Sequence, residues 1–460
     1  MNLTFKSSHR EYRTVIGATG QKAVLPVVVT DNGALDQFVL YMYGKRTMSR
    51  SWQDAATLAI QLLLDYMDTH QGVFEKPAAL FTEFSNALFT GTIESGRDTS
   101  GLYWRARLPD NASNLIGHIT QFTDWLAEIN QKAELQLNPW RKATRYEERL
   151  NWAAYSHRKD NAFLSHLWRS KPKTGQSRAV RARRLPVDDL TPAKTFPEGK
   201  IDFLVNEGFR RRARDMRGPI DLRNVLITLL MHYGSLRLSE ALSLWSDDVT
   251  VENGNVIVRV YHPDYGLAPD GKTRRTVHLQ ERYGLLPRKE LLKTDPLYLG
   301  WKNPLITDEV CQCFEVFFFP SAAGMIFVKL WRDYHLKQRV SPAANAQHPY
   351  AFTNRNGQPY SHHMFRKAHS LAVKRIGLEH GKHLGTTPHG HRHAFGQRMA
   401  AANIPALSIK TAMHHQSIDS SSTYTQPTSD DFRNSLFEME SRLSERHTGT
   451  QILQLGKELN

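Results

Sequence analysis

Thr387-Pro-His389-Gly-His-Arg392-His-Ala-Phe395, followed by Met413-His-His415-Gln-Ser417 and then Ser422-Thr-Tyr424-Thr425, is the stretch on which the reading of this 460-residue chain turns. His389 stands three residues before Arg392, the spacing at which two side chains share one face of a helix start. His415 follows Arg392 by 23 residues, and Tyr424 follows His415 by 9. These residue types supply what breaking a phosphodiester without metal or ATP requires. An arginine fork donates two parallel hydrogen bonds to a phosphate and stays charged. Imidazoles exchange protons near neutral pH, and a tyrosine hydroxyl can attack phosphorus and hold the product as an ester. Far upstream, Arg237 in Gly234-Ser-Leu-Arg237-Leu-Ser-Glu240 completes a phosphate clamp, and Lys272, at a turn between two expected strands, is placed to protonate a leaving 5′-hydroxyl. Taken singly, each has a plain reading: a solvated arginine, a half-buried packing tyrosine, a lysine in a turn.

Composition narrows the partners. The chain carries 60 Lys and Arg against 45 Asp and Glu, a net charge of +15, which predicts attraction to polyanions, with nucleic acid ahead of an anionic membrane surface. Its length predicts two or three domains. The first residues show no apolar signal-peptide core, and no run approaches the ~18 apolar residues that span a bilayer. The only cysteines, Cys311 and Cys313, are spaced too tightly for an ordinary intrachain disulfide, and no second pair completes a zinc site. A cytoplasmic protein with two thiols is expected. His383, His389, His391, His393, His414 and His415 raise a metal site as a rival, but carboxylate or cysteine ligands at zinc spacing and a His-Glu-x-x-His motif are missing.

The expected fold class is mainly α with a small antiparallel sheet. Residues 1–33 hold a β-rich run, Lys22–Thr30, of unassigned role. Residues 34–131 read as a helical bundle, with stripes at Leu35, Phe38, Val39, Met42 and at Ala59, Leu62, Leu63, Met67, and helices over 77–89 and 114–130. Residues 132–200 read as a basic linker, helical near 146–168. Lys171, Lys173, Arg178, Arg181, Arg183 and Arg184 are its candidate phosphate contacts, against a plain solvated linker. Residues 201–430 read as a second domain, with helices at 201–216, 222–233, from 239, and around 361–376, 391–402, 406–413 and 418–424. Asn255–Tyr261 is an expected strand with Arg275–Leu279 as its partner, and Tyr350–Gly357 is a strand and turn. Residues 431–460 complete a terminal helix over 430–446, with Phe432, Leu436, Met439 and Leu443 on one side, and a polar tail.

The chain resembles the tyrosine recombinase family, the phage-integrase-like site-specific recombinases. Gly234–Leu242 matches that family's first arginine box, Thr387–Phe395 its His-x-x-Arg box, Met413–Ser417 the segment usually written Leu-Gly-His-Ser, and Ser422–Thr425 the nucleophile segment. Phe352–Ser361 is similar to the strand before the second box. The resemblance implies a helical core-binding domain followed by an α+β catalytic domain. It implies that Arg237 and Arg392 clamp the scissile phosphate, His415 adds a hydrogen bond, His389 assists proton transfer, Lys272 is the general acid and Tyr424 the nucleophile, with no cofactor. It further implies double-stranded DNA as substrate, a homotetramer in the synapse, accessory DNA-bending or element-encoded proteins, and work in the bacterial nucleoid for a mobile element. Gly390-His391 stands where the family commonly has Asp-Leu, and His414 where it has Gly. A DNA-binding regulator of the same fold and a strand-relaxing relative, of the type IB topoisomerase kind, are the alternatives.

Overall fold

The computed structural model describes residues 7–161, 174–181, 193–211, 217–252, 255–418, 420–421, 424, 433, 436–437 and 439. The chain forms two compact units, residues 1–187 and 188–460.

The first unit starts with a β-hairpin, strand β1 (Ser8–Ile16) pairing antiparallel with β2 (Lys22–Thr30), and a short β3 (Gly33–Ala34) beyond it. Four helices follow: α1 (Asp36–Gly44), α2 (Arg50–Thr69), α3 (Pro77–Thr90) and α4 (Pro109–Asn130). Ser49 caps α2 by accepting the Trp52 N–H, and prolines at their first positions open α3 and α4. The run whose role the sequence left open is part of this core. Leu25 and Val28 of β2 are buried together with Phe38, Tyr41, Phe81, Phe84 and Phe122 from the helices.

The linker reading over 132–200 is corrected for residues 132–161 and 174–181, which fold into the first unit. Strand β4 (Trp140–Lys142) pairs with β5 (Gln176–Arg178) around helix α5 (Arg145–Asn161). Charge pairing is the reason. Arg178 forks onto the Asp124 carboxylate, donates to Asn138 O at 2.7 Å and lies over the Trp140 ring. That leaves its guanidinium committed inside the protein rather than free for phosphate. Arg181 lies 3.9 Å from Glu147. Lys171, Lys173, Arg183 and Arg184 lie outside the described residues.

The second unit is built around α7 (Leu222–His232), in which every residue from Asn224 to His232 is buried. Asp221 caps it by accepting the Asn224 N–H. Against it pack α10 (Ala322–Asp333), α11 (His362–Arg375) and α12 (Pro388–Ala401), with α8 (Leu238–Ser243) and α13 (Ala406–Ala412) beside the site described below. A three-stranded antiparallel sheet runs β6 (Val249–Glu252), β7 (Asn255–Tyr261), β8 (Cys313–Glu315). The helix expected over 201–216 is shorter. A turn of α6 (Ile201–Phe203) widens through Gly208, and Arg210 then bridges to Ile220. Tyr350–Gly357 contributes only isolated bridges and a turn. Of the terminal helix expected over 430–446, positions 433, 436, 437 and 439 are helical and the rest lie outside the described residues.

The partner strand expected at Arg275–Leu279 is instead helix α9 (Arg275–Tyr283), and β7 pairs with β8, some fifty residues further on. Alternation misled here because Arg275 and Leu279, four apart, are the buried residues of a helix. Arg275 is packed between the Trp245 and Tyr261 rings and forks onto both oxygens of buried Asp248. Removing one member of such a pair strands the other charge in a dry interior. Asp248→Asn is therefore expected to destabilise the second unit by about 3–5 kcal/mol in urea unfolding, far more than an exposed Asp→Asn change.

Candidate active site

The loop between α7 and α8 begins the site. Gly234 is required there, because a Cβ would lie 2.6 Å from Val316 and 2.8 Å from Leu230 O. Ser235 then takes a left-handed conformation (φ +61°) and its hydroxyl donates to Ala412 O at 2.8 Å. This bend delivers Arg237 to the first position before α8. There Glu240 takes the Arg237 backbone N–H at 2.8 Å with one oxygen and the guanidinium at 2.6 Å with the other. Glu240 is buried while the arginine remains partly open.

Helix α12 brings the second set. Thr387-Pro388 starts it, and Gly390 lets it approach its neighbours: a Cβ there would fall 1.7 Å from Gly385 O. Arg392 is fully buried and donates through Nη1 to Ser235 O and through Nη2 to Met413 O. Burial pushes its pKa down to about 10, and the neighbouring Arg237 adds to that. After α13 the chain turns through His414, also left-handed (φ +54°), where a glycine meets no steric cost. The His414 ring stacks on Phe314 with centroids 3.8 Å apart. His415 follows, with Nδ1 3.0 Å from Ser421 Oγ. Burial, then Arg392 and Arg237, hold its pKa down to about 3, so it is neutral at physiological pH.

Tyr424 closes the cluster. Its ring lies against the backbone of α12 at Gly396, where a Cβ would come 2.8 Å from the ring. Its hydroxyl is 2.8 Å from His393 Nδ1. Burial raises the phenol pKa, against the pull of Arg392 and Arg237. His389 is exposed at the mouth, its ring 4.4 Å from that of His393. Partial burial, then His393, Arg392, Lys302 and Arg237, push its pKa down to about 4. The structure thus gathers Arg237, His389, Arg392, His415 and Tyr424 within one unit. Arg237 is paired with Glu240 while Arg392 donates to backbone carbonyls, and the histidines are kept neutral, a surplus of positive charge suited to an anion.

Lys272 is not gathered with them. It sits in an exposed turn whose backbone N–H groups, at Lys272 and Thr273, are taken by Asp270, and its side chain makes no hydrogen bond or ion pair among the described residues. Lys302 is the lysine whose charge acts on His389. Three residues later, Leu305 N–H donates to His414 O at 3.0 Å. The sequence also missed His393, whose signal was its place directly after Arg392 and one turn before Gly396.

His391 explains one departure noted in the sequence. It faces away from the arginines into a buried chain of imidazoles. His232 Nε2 lies 2.7 Å from the Arg398 guanidinium and 3.2 Å from the Glu198 carboxylate. His232 Nδ1 pairs with His391 Nδ1 at 3.1 Å, and His391 Nε2 with His369 Nε2 at 2.8 Å. The chain ties α7, α11 and α12 together where an apolar side chain would only pack. Among the described residues no three His, Cys, Asp or Glu side chains converge to hold a metal ion, and no helix is long and apolar enough to cross a membrane.

The sequence profile of the Phage integrase family matches residues 325–430. Among solved structures, the chain is similar to the XerH site-specific recombinase bound to difH substrate (12% identity, TM-score 0.46, covering 83% of this chain and 78% of that one). It is also similar to the Tn1549 transposon integrase in complex with transposon right end DNA (15%, 0.36, 83% and 99%) and to the XerA recombinase (15%, 0.33, 88% and 97%). No curated protein sequence matches the chain.

The imidazole chain makes stability depend on pH. Burial holds His391 well below the usual 6.5 and His369 down to about 3. Unfolding releases both to 6.5, so the unfolded chain binds more protons below that pH, and stability is lost as pH falls from 6.5 towards 3. His391→Leu, which removes one of these sites and leaves two imidazole nitrogens unpaired, is expected to lower stability at neutral pH yet flatten its decline below 6.5, as followed by urea unfolding across pH.

Proposed function

We infer that the chain is a site-specific DNA recombinase of the phage integrase type, the family whose profile matches residues 325–430, and that it cuts and rejoins strands through a 3′-phosphotyrosine intermediate. The observation that carries this is the position of Tyr424, its hydroxyl inside a pocket of surplus positive charge made by Arg237 and buried Arg392. In-line attack builds negative charge on the nonbridging phosphate oxygens, and preorganised donors in a dry site lower that barrier most. Arg237, with its fork held by Glu240, and Arg392 take the phosphate. His415, neutral and held at Nδ1 beside Ser421, offers its other nitrogen as a donor. His389 assists proton transfer at the mouth. Tyr424 attacks phosphorus, the bond to the 5′-oxygen breaks, and the phosphotyrosine conserves the energy for rejoining a new 5′-hydroxyl.

The substrate is double-stranded DNA, drawn by the net charge of +15. On this reading the first unit grips the duplex as a core-binding domain, Lys171, Lys173, Arg183 and Arg184 add phosphate contacts, and four protomers assemble a synapse for a mobile element. A regulator that only binds DNA has no use for a tyrosine poised among two arginines and three imidazoles.

Two experiments test the chemistry. Incubated with a pool of nicked duplexes carrying a randomised core, wild type is expected to form an adduct that peptide mapping places on Tyr424, while Tyr424→Phe binds the recovered duplex with unchanged affinity and forms none. Equal adduct from both proteins ends the nucleophile assignment. The second identifies the acid. If Lys272 protonates the leaving group, Lys272→Ala slows cleavage of an ordinary strand by about 10²–10⁴-fold, and a bridging 5′-sulfur, which leaves without a proton, restores the rate. Rescue of Lys302→Ala instead moves the role to Lys302.

A further inference from the structure

The nucleophile needs a base. Burial keeps the Tyr424 phenol protonated at neutral pH, and the arginines around it are needed for the phosphate. Among the described residues, the group at the hydroxyl is His393, with Nδ1 2.8 Å from Oη. His389 makes no hydrogen bond or ring contact with Tyr424 and touches the His393 ring instead. His415 stacks near the phenol, centroids 6.4 Å apart, but turns Nδ1 to Ser421.

We propose that His393 is the general base of strand cleavage, a role resting on the recombinase reading above. As the Tyr424 Oη–P bond forms and the P–O5′ bond breaks, the phenolic proton moves to His393 Nδ1, and the 5′-oxygen takes a proton from the lysine acid. On rejoining, the 5′-hydroxyl attacks phosphorus, its proton returns to the lysine, and His393 returns its own to the departing phenolate.

The fold fixes this pair tightly. His393 and Gly396 lie three apart on α12, one above the other on the same face. Gly396 is the floor on which the Tyr424 ring rests, and any larger residue would push the ring away. Arg392, the phosphate ligand, directly precedes His393, so one peptide bond sets the distance between base and phosphate.

The surroundings also give the base a condition for working. The titratable and charged groups facing it are Arg392 and His389 on its own helix, Lys382 before it, and His415 and Tyr424 across from it. Burial, then Arg392 and Lys382, hold His393 below its usual pKa, so in the empty site it is neutral and ready but weakly basic. A phosphate seated on Arg392 cancels that repulsion and strengthens the base. The nucleophile is thereby activated when DNA occupies the clamp.

The test is single-turnover adduct formation against pH on the duplex recovered from the nicked pool, with wild type, His393→Ala, His393→Asn and His389→Ala. Binding of the same duplex is measured in the same samples. His393→Ala is expected to be slower by about a hundredfold or more at neutral pH with binding unchanged, the gap closing at higher pH as the phenol ionises unaided. His393→Asn offers the hydroxyl a polar partner but cannot take its proton, so it stays slow, and it carries the test if the alanine variant fails to fold. His389→Ala, which removes a proton-transfer helper at the mouth, is expected to lower the rate by a similar factor at every pH, its gap to wild type not closing as the phenol ionises. Wild-type rates in either His393 variant, or rescue by asparagine, overturn the base and leave the recombinase reading standing. A wild type that forms no adduct overturns both.

Discussion

The Arg392 guanidinium, bridging Ser235 O and Met413 O, is the contact on which the site depends. Those carbonyls belong to two loops far apart in sequence, one leading to Arg237 and the other to His415. Each sits at a left-handed residue, Ser235 or His414, in a conformation a side chain disfavours. A buried guanidinium with only one nearby carboxylate is costly by itself. Here the carbonyls satisfy part of its donor set, and the strained turns are held by what they hold. Loss of Arg392 would therefore separate these two loops as well as remove the proposed phosphate ligand.

The same residue explains the electrostatics. Burial first, and then the field of Arg237 and Arg392, keeps nearby imidazoles neutral, while the same arginines pull on the phenol. A neutral imidazole can donate from one nitrogen while accepting at the other, which a charged one cannot. In the proposed reaction the arginines thus supply the charge and the histidines the proton traffic, and the division follows from burial and distance rather than residue type alone.

Much of the site was legible in the sequence because its groups sit at fixed offsets on short elements. Arg392, His415 and Tyr424 lie close in sequence, and Arg237 carries its own helix start. What failed to show were features decided across the fold. His393 looked like one of several histidines until Gly396 placed a tyrosine ring beside it. The helix at Arg275 read as a strand because its burial is set by Asp248, Trp245 and Tyr261, none of them neighbours in sequence. Lys272 looked like the natural acid because it sits at a turn, yet the turn folds onto Asp270 and the lysine near His389 is Lys302. In the first unit, Leu25 and Val28 gave a clear strand signal, but no pattern in one segment says that a hairpin will be buried under helices.

Tyr424 rests on a glycine of its own chain and shares a hydrogen bond with a histidine of its own chain. In the proposed reaction the nucleophile and its base therefore belong to one chain, fixed to each other by a single helix. Control of such a site must then act on entry and timing, by admitting or excluding the phosphate.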